Sequence, residues 1–442
     1  MKKLFGFFVA ALLFHSITFA QTANDSSTPK QPPALTYILA GRFFDATSDS
    51  IRQNVLITIE GDRIKSVTPN ASAPAGATVI DLSHSTVLPG LIDCHTHLSA
   101  RADRYNEIYR FKDTPFDHAF FAVVNARKTL EAGFTSVRDV GSPPFLAVDL
   151  RNTINEGIIP GPRIVASGPP LSITGGHGDL NNFSPQTRVS MFPDERNFSI
   201  ADGVDEVRHV VRAQVKYGVD VIKIHATGGV LSNIRAGIDQ QFVDDEIGSI
   251  IETAHRLGRR VSAHAHGTAG INAALAAGVD SIEHGSFLDE KSIELFLGRG
   301  AFHTPTIIAG MTALEMAKSG VLTPAQAEKA LVIGDRIKQA LARSYRAGVR
   351  ITFGTDMGVG PHGQNAREFA LMVEAGMTPA DAIKAATATA AELLDIADVA
   401  GSLAPGKAAD IIAVDGDPLA EITELERVTF VMAGGARATA EG

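Results

Sequence analysis

The sequence lacks most of the features that mark disulfide-stapled, membrane-embedded or nucleic-acid-binding proteins. Its single cysteine, Cys94, excludes a disulfide bond within the chain. It has no run of basic residues and a formal net charge of −9, so nucleic acid and anionic membrane surfaces are poor partners. Beyond the N-terminus, no segment is long and apolar enough to cross a bilayer. With 442 residues, 45% of them hydrophobic, the composition indicates a globular protein with one large domain and a smaller one.

The N-terminal segment MKKLFGFFVAALLFHSITFAQ is typical of a secretory signal peptide. Two lysines precede an apolar stretch, and a weak small-residue cleavage site follows. His15 interrupts a run that is already short for a membrane span, which favours cleavage over a permanent anchor. We therefore expect a signal peptide at 1–20, a flexible leader at 21–33, and an exported protein that is periplasmic or secreted. Cleavage removes two lysines, changes the net charge from −9 to −11 and leaves no membrane attachment.

The remaining chain divides into β-rich ends and a long alternating middle. Residues 34–87 read as short strands and residues 399–442 return to β, so we predict a small β-sandwich domain built from both chain ends. Between them, residues 88–398 alternate strands and helices, with glycine after many helices and a long loop at 169–201. We count eight strands, each followed by helical sequence. The predicted fold class is therefore α/β, a (β/α)8 TIM-like barrel with the small sandwich beside it.

Histidines collect at the predicted strand ends, where the active site of such a barrel forms. In PGLIDCHTHL the first two alternate along a strand, so their side chains point to the same face, as two ligands of one metal need. A core histidine bonded to a backbone carbonyl is the usual alternative for any single one, but it does not explain the set. Seven of the chain's 14 histidines lie at these ends, and Asp356 ends the eighth strand: His95, His97, His225, His264, His266, His284 and His303.

A lysine in the apolar strand DVIKIHA raises a separate question. Burial of the Lys223 ammonium costs several kcal/mol unless it is paired. The residue could form an ion pair, serve as a Schiff-base nucleophile, or be carbamylated by CO₂. A carbamate is an anion whose two oxygens can bridge two metals. Because histidines and an aspartate end the neighbouring strands, carbamylation explains more of the pattern than the other two possibilities.

Six stretches of the chain, in this order, resemble the amidohydrolase superfamily: PGLIDCHTHL, VIKIHATGGVLS, VSAHAHG, SIEHG, FGTD and GSLAPGKAADIIAVDGDP. The resemblance is to its binuclear metal-dependent Xaa-Pro dipeptidase and imidazolonepropionase-like group, which includes the ochratoxin amidohydrolases. It covers nearly the whole mature chain.

The resemblance implies a centre of two divalent metal ions. His95, His97 and Asp356 would hold one ion, and His264 and His284 the other. A carboxylated lysine at position 223 would bridge the two ions together with a hydroxide. The donor types alone also suit Zn²⁺.

Other residues are candidates for catalysis. As ligand and neighbour of the bridging hydroxide, Asp356 would take its proton and pass it to the leaving nitrogen; a helix N-cap is the alternative role. The residue pattern alone does not choose between His264 and His266, which share a face. His266 and His303 are further catalytic candidates, with plain structural roles as the alternative.

Three residues are candidates for substrate contacts. His177 lies in the glycine-rich loop SITGGHGD, where a structural turn is the alternative. His225 follows the predicted metal-bridging lysine by two positions. Arg235, in LSNIRAGIDQQF, would pair with a substrate carboxylate, with a solvated surface arginine as the alternative. Around 233–238 this sequence departs from the family group, which often has an Asp- or Pro-containing stretch there, so the resemblance does not identify the substrate.

The sequence thus predicts a metal-dependent hydrolase that cleaves an amide or peptide bond in small dipeptide-like or N-acyl amino acid substrates through a metal-bridging hydroxide. A mononuclear deaminase or cyclic-amide hydrolase of the same superfamily is one alternative, although HAHGTAG lacks the glutamate that deaminases use. A secreted metal-binding protein without catalysis is another. The family resemblance also implies a homo-oligomer, as large as an octamer.

Overall fold

The computed structural model describes residues 35–103, 109–181, 183–191, 195–234 and 237–438. The predicted signal peptide, the leader and Arg235 lie outside these residues. The strands, in chain order, are β1 (Leu35–Phe43), β2 (Arg52–Glu60), β3 (Arg63–Pro69), β4 (Thr78–Pro89), β5 (Leu91–Thr96), β6 (Phe134–Asp139), β7 (Arg163–Ala166), β8 (Val221–His225), β9 (Arg260–Ala265), β10 (Ser281–His284), β11 (Phe302–Thr304), β12 (Arg350–Ile351), β13 (Ile411–Val414), β14 (Phe430–Ala433) and β15 (Ala436–Arg437).

Helices follow the strands of the middle region as the sequence predicts. Three of them begin with a capping threonine and a proline in the first turn, at 114–115, 323–324 and 378–379. The helices are α1 (Tyr109–Lys112), α2 (Pro115–Glu131), α3 (Leu146–Asn155), α4 (Pro185–Met191), α5 (Glu195–Phe198), α6 (Val204–Lys216), α7 (Asp244–Arg256), α8 (Thr268–Ala277), α9 (Glu290–Arg299), α10 (Ile307–Lys318), α11 (Pro324–Arg346), α12 (Arg367–Glu374), α13 (Pro379–Ala385) and α14 (Ala388–Leu393), with a short 3₁₀ helix at Ile422–Glu426.

The two chain ends combine in one seven-stranded sheet of order β15-β14-β13-β4-β1-β2-β3. The sheet curls, because Arg63 on its β3 edge bridges to Ala408 just before β13. Its apolar face encloses a core of its own, to which Ile38, Ile57 and Ile411 contribute. The sequence predicts a sandwich. In the structure these strands instead form a single curled sheet, joined by hydrogen bonds from strand to strand.

The eight predicted barrel strands are present as β5 to β12, and their ladders are parallel throughout. They form a three-stranded sheet, β5-β6-β7, and a five-stranded sheet, β12-β11-β10-β9-β8, rather than one continuous ladder. Backbone hydrogen bonds join the two sheets at both edges. Leu171, beyond β7, bridges to Ile224, and Met357, beyond β12, bridges to Thr96.

One extended segment passes from the curled sheet into the parallel strands. β4 and β5 are separated only by Gly90, where a Cβ atom would lie 2.0 Å from Thr135 Oγ1. Because only glycine allows this approach, Gly90 fixes the junction five residues before His95. β4 continues to Pro89, two residues beyond the predicted domain boundary at 87.

The predicted loop at 169–201 contains two short helices, α4 and α5, that the sequence analysis did not anticipate. α1 was likewise not predicted. All three are seven residues or shorter, so they carry too little periodicity to be seen in the sequence. Among the described residues, no helix is both long and apolar enough to span a membrane.

Candidate metal centre

The carboxyl ends of the parallel strands surround a cavity of about 510 Å³. The strand-end histidines that the sequence singles out lie around it with one exception, His303. Arg235 lies outside the described residues. The predicted site residues that line the cavity are His95, His97, His177, Lys223, His225, His264, His266, His284 and Asp356.

The first half of the centre consists of His95, His97 and Asp356. Asp356 Oδ1 lies 3.1 Å from His97 Nε2 and 3.5 Å from His95 Nε2. Backbone hydrogen bonds set this spacing, because the Asp356 amide donates to the His95 carbonyl at 2.7 Å. Asp356 has a φ of 57°, a left-handed conformation that turns its carboxylate towards the histidines.

Asp93 fastens the two segments of the first half to each other. Its carboxylate accepts hydrogen bonds from the backbone amides of His95 and Thr355, the Thr355 hydroxyl and the Asn365 amide, at 2.6–3.1 Å. It is fully buried. These four bonds fix the strand that carries the two alternate histidines against the segment that carries Asp356.

A buried ionic network orients His95. Its Nδ1 lies 2.9 Å from Glu283 Oε2, and Arg138 Nη2 donates to Glu283 Oε1 at 2.8 Å. Ser262 and Ser281 donate to the same oxygen. Burial alone would raise the pKa of Glu283, but Arg138 and His95 hold it well below its ordinary value. The ionised carboxylate therefore keeps the proton of His95 on Nδ1 and leaves Nε2 as the ligand atom.

The second half of the centre consists of His264, His266 and His284, whose rings lie 4.6–4.8 Å apart. Here hydroxyl groups orient the rings. His266 Nδ1 lies 2.8 Å from Ser286 Oγ, and His284 Nδ1 lies 2.6 Å from Thr306 Oγ1. Because the Thr306 hydroxyl donates to the Pro305 carbonyl, it accepts from His284 Nδ1.

His303 lies behind the second half rather than in the cavity. It is fully buried, and its Nε2 donates to the His284 carbonyl at 3.1 Å. Burial lowers the pKa of His303 to about 4, so its Nδ1 is unprotonated and accepts from Ser344 Oγ at 2.8 Å. Both ring nitrogens of His303 therefore have hydrogen-bond partners. Its contact with the second half is the hydrogen bond to the backbone of His284, a residue with a φ of 71°.

Lys223 lines the same cavity, beside His95 of the first half. Its Nζ lies 3.5 Å from His95 Nε2, and the side chain is only 2% exposed. Burial lowers the pKa of Lys223 to about 8, with Glu283 and Asp356 acting in the opposite direction. A substantial share of the amine is therefore neutral near pH 8.

His177 and His225 meet on the wall of the cavity, with ring centroids 4.5 Å apart. The Nδ1 atoms of both rings are buried and have no hydrogen-bond partner among the described residues. Burial lowers the pKa of His177 to about 3, so the ring is neutral. The two neutral imidazoles could serve as donors or acceptors for a bound polar group.

The side chains fit a pair of closely spaced cations. Two groups of three donors lie with their ligand atoms within 4.8 Å of one another, one formed by His264, His266 and His284 and one by His95, His284 and Asp356. They share His284, so the two positions are adjacent. His264 Nε2 is buried with no hydrogen-bond partner among the described residues, which is costly for a polar atom unless a ligand satisfies it. Neutral imidazoles with a carboxylate form a donor set that zinc favours.

Sequence reasoning missed the residues that support the ligands. Arg138, Asp93 and Glu283 are charged residues inside apolar strands, a signal that drew attention only to Lys223. Arg138 in TSVRDVG and Glu283 in SIEHG become a pair only through the fold, because 145 residues separate them.

Comparison with known proteins agrees with this geometry. The chain matches the amidohydrolase family over residues 86–437. It is 35% identical over 421 residues to ochratoxinase from Aspergillus niger, covering 91% of this chain and 86% of that protein. It is 26% identical over 375 residues to imidazolonepropionase from Cutibacterium acnes, covering 82% and 84%.

Solved structures give the same result. A Xaa-Pro dipeptidase with methionine bound in its active site superimposes with a TM-score of 0.88 at 38% identity, covering 92% of this chain and all of that one. The crystal structure of A. niger ochratoxinase gives 0.80 at 32% identity, covering 92% and 96%. Family, relatives and strand-end donors agree: the chain is a hydrolase that belongs to the metal-dependent amidohydrolase family.

Proposed function

We propose that the protein hydrolyses an amide or peptide bond in small dipeptide-like or N-acyl amino acid substrates, with two divalent metal ions, zinc, as cofactors. One observation carries the proposal. Two adjacent groups of histidine and carboxylate donors line a single cavity at the carboxyl ends of the parallel strands. The named activities of the similar ochratoxinase and Xaa-Pro dipeptidase support the same reaction class.

In this proposal His95, His97 and Asp356 would hold one ion, and His264 and His284 would hold the other. Lys223, as a carbamate, would supply a further anionic ligand. Its buried amine beside His95 Nε2 supports this assignment, because an unmodified ammonium would compete with a cation there. Addition of CO₂ to the neutral amine forms the nitrogen–carbon bond and releases one proton.

When bound, two such ions lower the pKa of a water molecule and polarise the substrate carbonyl. The chain's own residues then move the proton. Burial of Asp356 raises its pKa, but His95 and His97 outweigh this and lower it to about 2, so the side chain is an ionised carboxylate. In this proposal the carboxylate would accept the proton of the bound water. Asp356 would pass that proton to the leaving nitrogen. His266 is a second candidate, because Ser286 engages its Nδ1 and leaves Nε2 for the cavity.

For the substrate, His177 and His225 are the proposed polar contacts, and their unpartnered Nδ1 atoms support this. Arg235 remains a proposed carboxylate partner on its sequence position alone. We also propose that the eight parallel strands form a closed (β/α)8 barrel, supported by the bridges at both sheet edges. Export after signal cleavage and assembly as a homo-oligomer remain proposals.

Cyclic-amide hydrolysis is a second candidate, favoured by the similarity to imidazolonepropionase. The experiment that separates the candidates measures metal content per chain and the release of free amino acid from a library of dipeptides, N-acyl amino acids and cyclic amides. Two ions per chain with linear amides as the best substrates supports the main proposal. One ion with ammonia release indicates a deaminase, and metal without turnover indicates a binding protein.

A further inference from the structure

One side of the cavity has no histidine and no charge. We call it the aliphatic wall: Ala309, Gly310 and Ala313 from α10, with Ile333 and Ile337 from α11. Ala313 lies three and four positions after Gly310 and Ala309, and Ile337 lies four after Ile333, so within each helix these residues are neighbours on one side. All five line the same cavity as the metal-ligand candidates.

The aliphatic wall adjoins the second half of the centre. α10 begins directly after Thr306, whose hydroxyl is bonded to His284 Nδ1 at 2.6 Å. Ala309 and Gly310 follow within one helical turn, a rise of about 5 Å. A group held at the metal ions would therefore place its neighbouring substituent against this wall.

The aliphatic wall is firmly supported from behind. On the α10 side it consists only of glycine and alanine, whose small side chains take little volume from the cavity. A Cβ atom on Gly310 would lie 3.1 Å from Ile337 Cγ2, so the two helices pack closely. Ala313 and Ile333 also belong to a small apolar cluster and are at most 4% exposed.

The ammonium of Lys329, a charged group near the aliphatic wall, already has hydrogen-bond partners. Lys329 lies one turn before Ile333 on α11, and its Nζ donates to the carbonyls of Gly229 at 2.7 Å and Ser232 at 2.6 Å. A charged side chain placed against the aliphatic wall would lose its water without gaining a partner from the wall's residues. An apolar side chain would gain from the same burial.

Building on the proposed amide hydrolysis, we propose that the aliphatic wall binds an uncharged, apolar side chain next to the scissile amide, of the size of leucine, methionine or phenylalanine. Substrates with glycine or a charged residue at this position would be poor. The wall thus sets the substrate class that the histidines and Asp356 leave open.

The test compares two series with the zinc-loaded protein, N-acetyl-Xaa and Xaa-glycine, where Xaa is Gly, Leu, Phe, Asp or Lys. In one of the series, kcat/KM for Leu or Phe should exceed that for Gly by roughly ten- to hundredfold, and Asp and Lys should be no better than Gly. Equal values across both series, or a preference for Asp or Lys, would overturn the proposal.

The Ala313→Leu variant tests whether the side-chain preference arises at the aliphatic wall. The added side chain should fill the wall and lower kcat/KM for Leu and Phe substrates by about tenfold or more, with little change for Gly. Ala317→Leu, one turn further along α10 and away from the cavity, is the matched control. Ile337→Val is a milder second variant that preserves the packing. If all three leave the side-chain preference unchanged, the wall does not contact the substrate.

Binding measurements separate this proposal from the proposed reaction. If the wild type hydrolyses none of the compounds, amide hydrolysis of small substrates is wrong, and calorimetric titration with N-acetyl-leucine and N-acetyl-glycine decides on the wall. Tighter binding of N-acetyl-leucine that Ala313→Leu removes supports it. Equal binding, or none, refutes it.

Discussion

The two halves of the metal centre are oriented by different chemistry. In the first half, His95 is bonded to a buried carboxylate, Glu283, which is paired with Arg138. In the second half, His284 and His266 are bonded to neutral hydroxyls. Removal of one member of a buried ion pair leaves the other charge uncompensated, whereas removal of a hydroxyl costs only one hydrogen bond. Substitution of a supporting side chain should therefore weaken metal binding far more in the first half than in the second.

As the proposed bridging carbamate, Lys223 would connect the two ions, so its loss should affect both halves. In Lys223→Ala we expect fewer than two metal ions per chain and a fall in kcat/KM on the order of 10³-fold or more, because the bridging anion is lost. Metal analysis and amide turnover check this, and short carboxylic acids with bicarbonate should restore part of both. A variant that keeps two ions and near-normal turnover would show that the carbamate assignment is wrong.

Asp356 should be the residue of the first half whose loss affects the chemical step. In Asp356→Asn we expect kcat to fall by roughly 10²–10⁴-fold with little change in KM, because the amide oxygen still ligates but cannot accept the proton. Metal content must be measured on the same sample, since lost metal would have the same effect. Near-wild-type turnover by a fully metallated variant would shift the role to His266 or the solvent.

Glu283 tests the ionic half directly. Glu283→Gln should lower the affinity for one of the two proposed zinc ions by about 100-fold, the upper end for a residue that orients a ligand, because Arg138 loses its partner and His95 its fixed tautomer. Competition with a chelator resolves the two ions. Loss of both ions to the same extent would contradict the distinction between the halves.

Thr306 is the matched residue of the second half. Thr306→Val keeps the shape, and we expect a loss of about tenfold in zinc affinity, the lower end of the same range. The same chelator titration compares it with Glu283→Gln. If Thr306→Val lowers zinc affinity as much as Glu283→Gln or more, the charge of the supporting residue does not determine the difference between the halves.

Glu368 tests the stability of the second half's surroundings rather than its metal binding. Its carboxylate accepts from the Ile307 and Ile308 amides beside Thr306, and burial raises its pKa well above the ordinary value of 4.5. The folded state thus binds a proton that the unfolded state has released, so stability falls as pH rises from 4.5 towards the folded pKa. Glu368→Gln should remove this slope, worth about 1.4 kcal/mol per pKa unit. Chemical denaturation at pH 5 and pH 8 measures it, and parallel curves for both proteins would refute it.

The sequence indicated the ligand candidates in two ways: spacing within one strand placed the first two, and predicted strand ends with the family resemblance supplied the others. His95 and His97 alternate in a single strand, and the cost of burying Lys223 is evident from its apolar neighbours. The supports of these residues required the fold, since His95 and Glu283 are 188 positions apart.

His303 shows the limit of strand-end reasoning. β11 is only three residues long, and His303 turns to Ser344 on α11 while its neighbour Thr304 bonds to Thr352, just beyond β12. Which face a residue takes in so short a strand is not visible in the sequence. The single curled sheet was missed for a related reason, because strand composition does not show which edges meet.

The junction at Gly90 has a consequence for when the centre is completed. The strand that leads into His95 and His97 pairs on its upstream part with β13, and the Gly90 amide donates to the Asp410 carbonyl at 2.8 Å. These partners lie more than 300 positions after the histidines that they support. The strand that carries the first two ligand candidates therefore gains this support only after residues 410–414 have been synthesised. A truncation before Ile411 would remove this support while sparing every ligand.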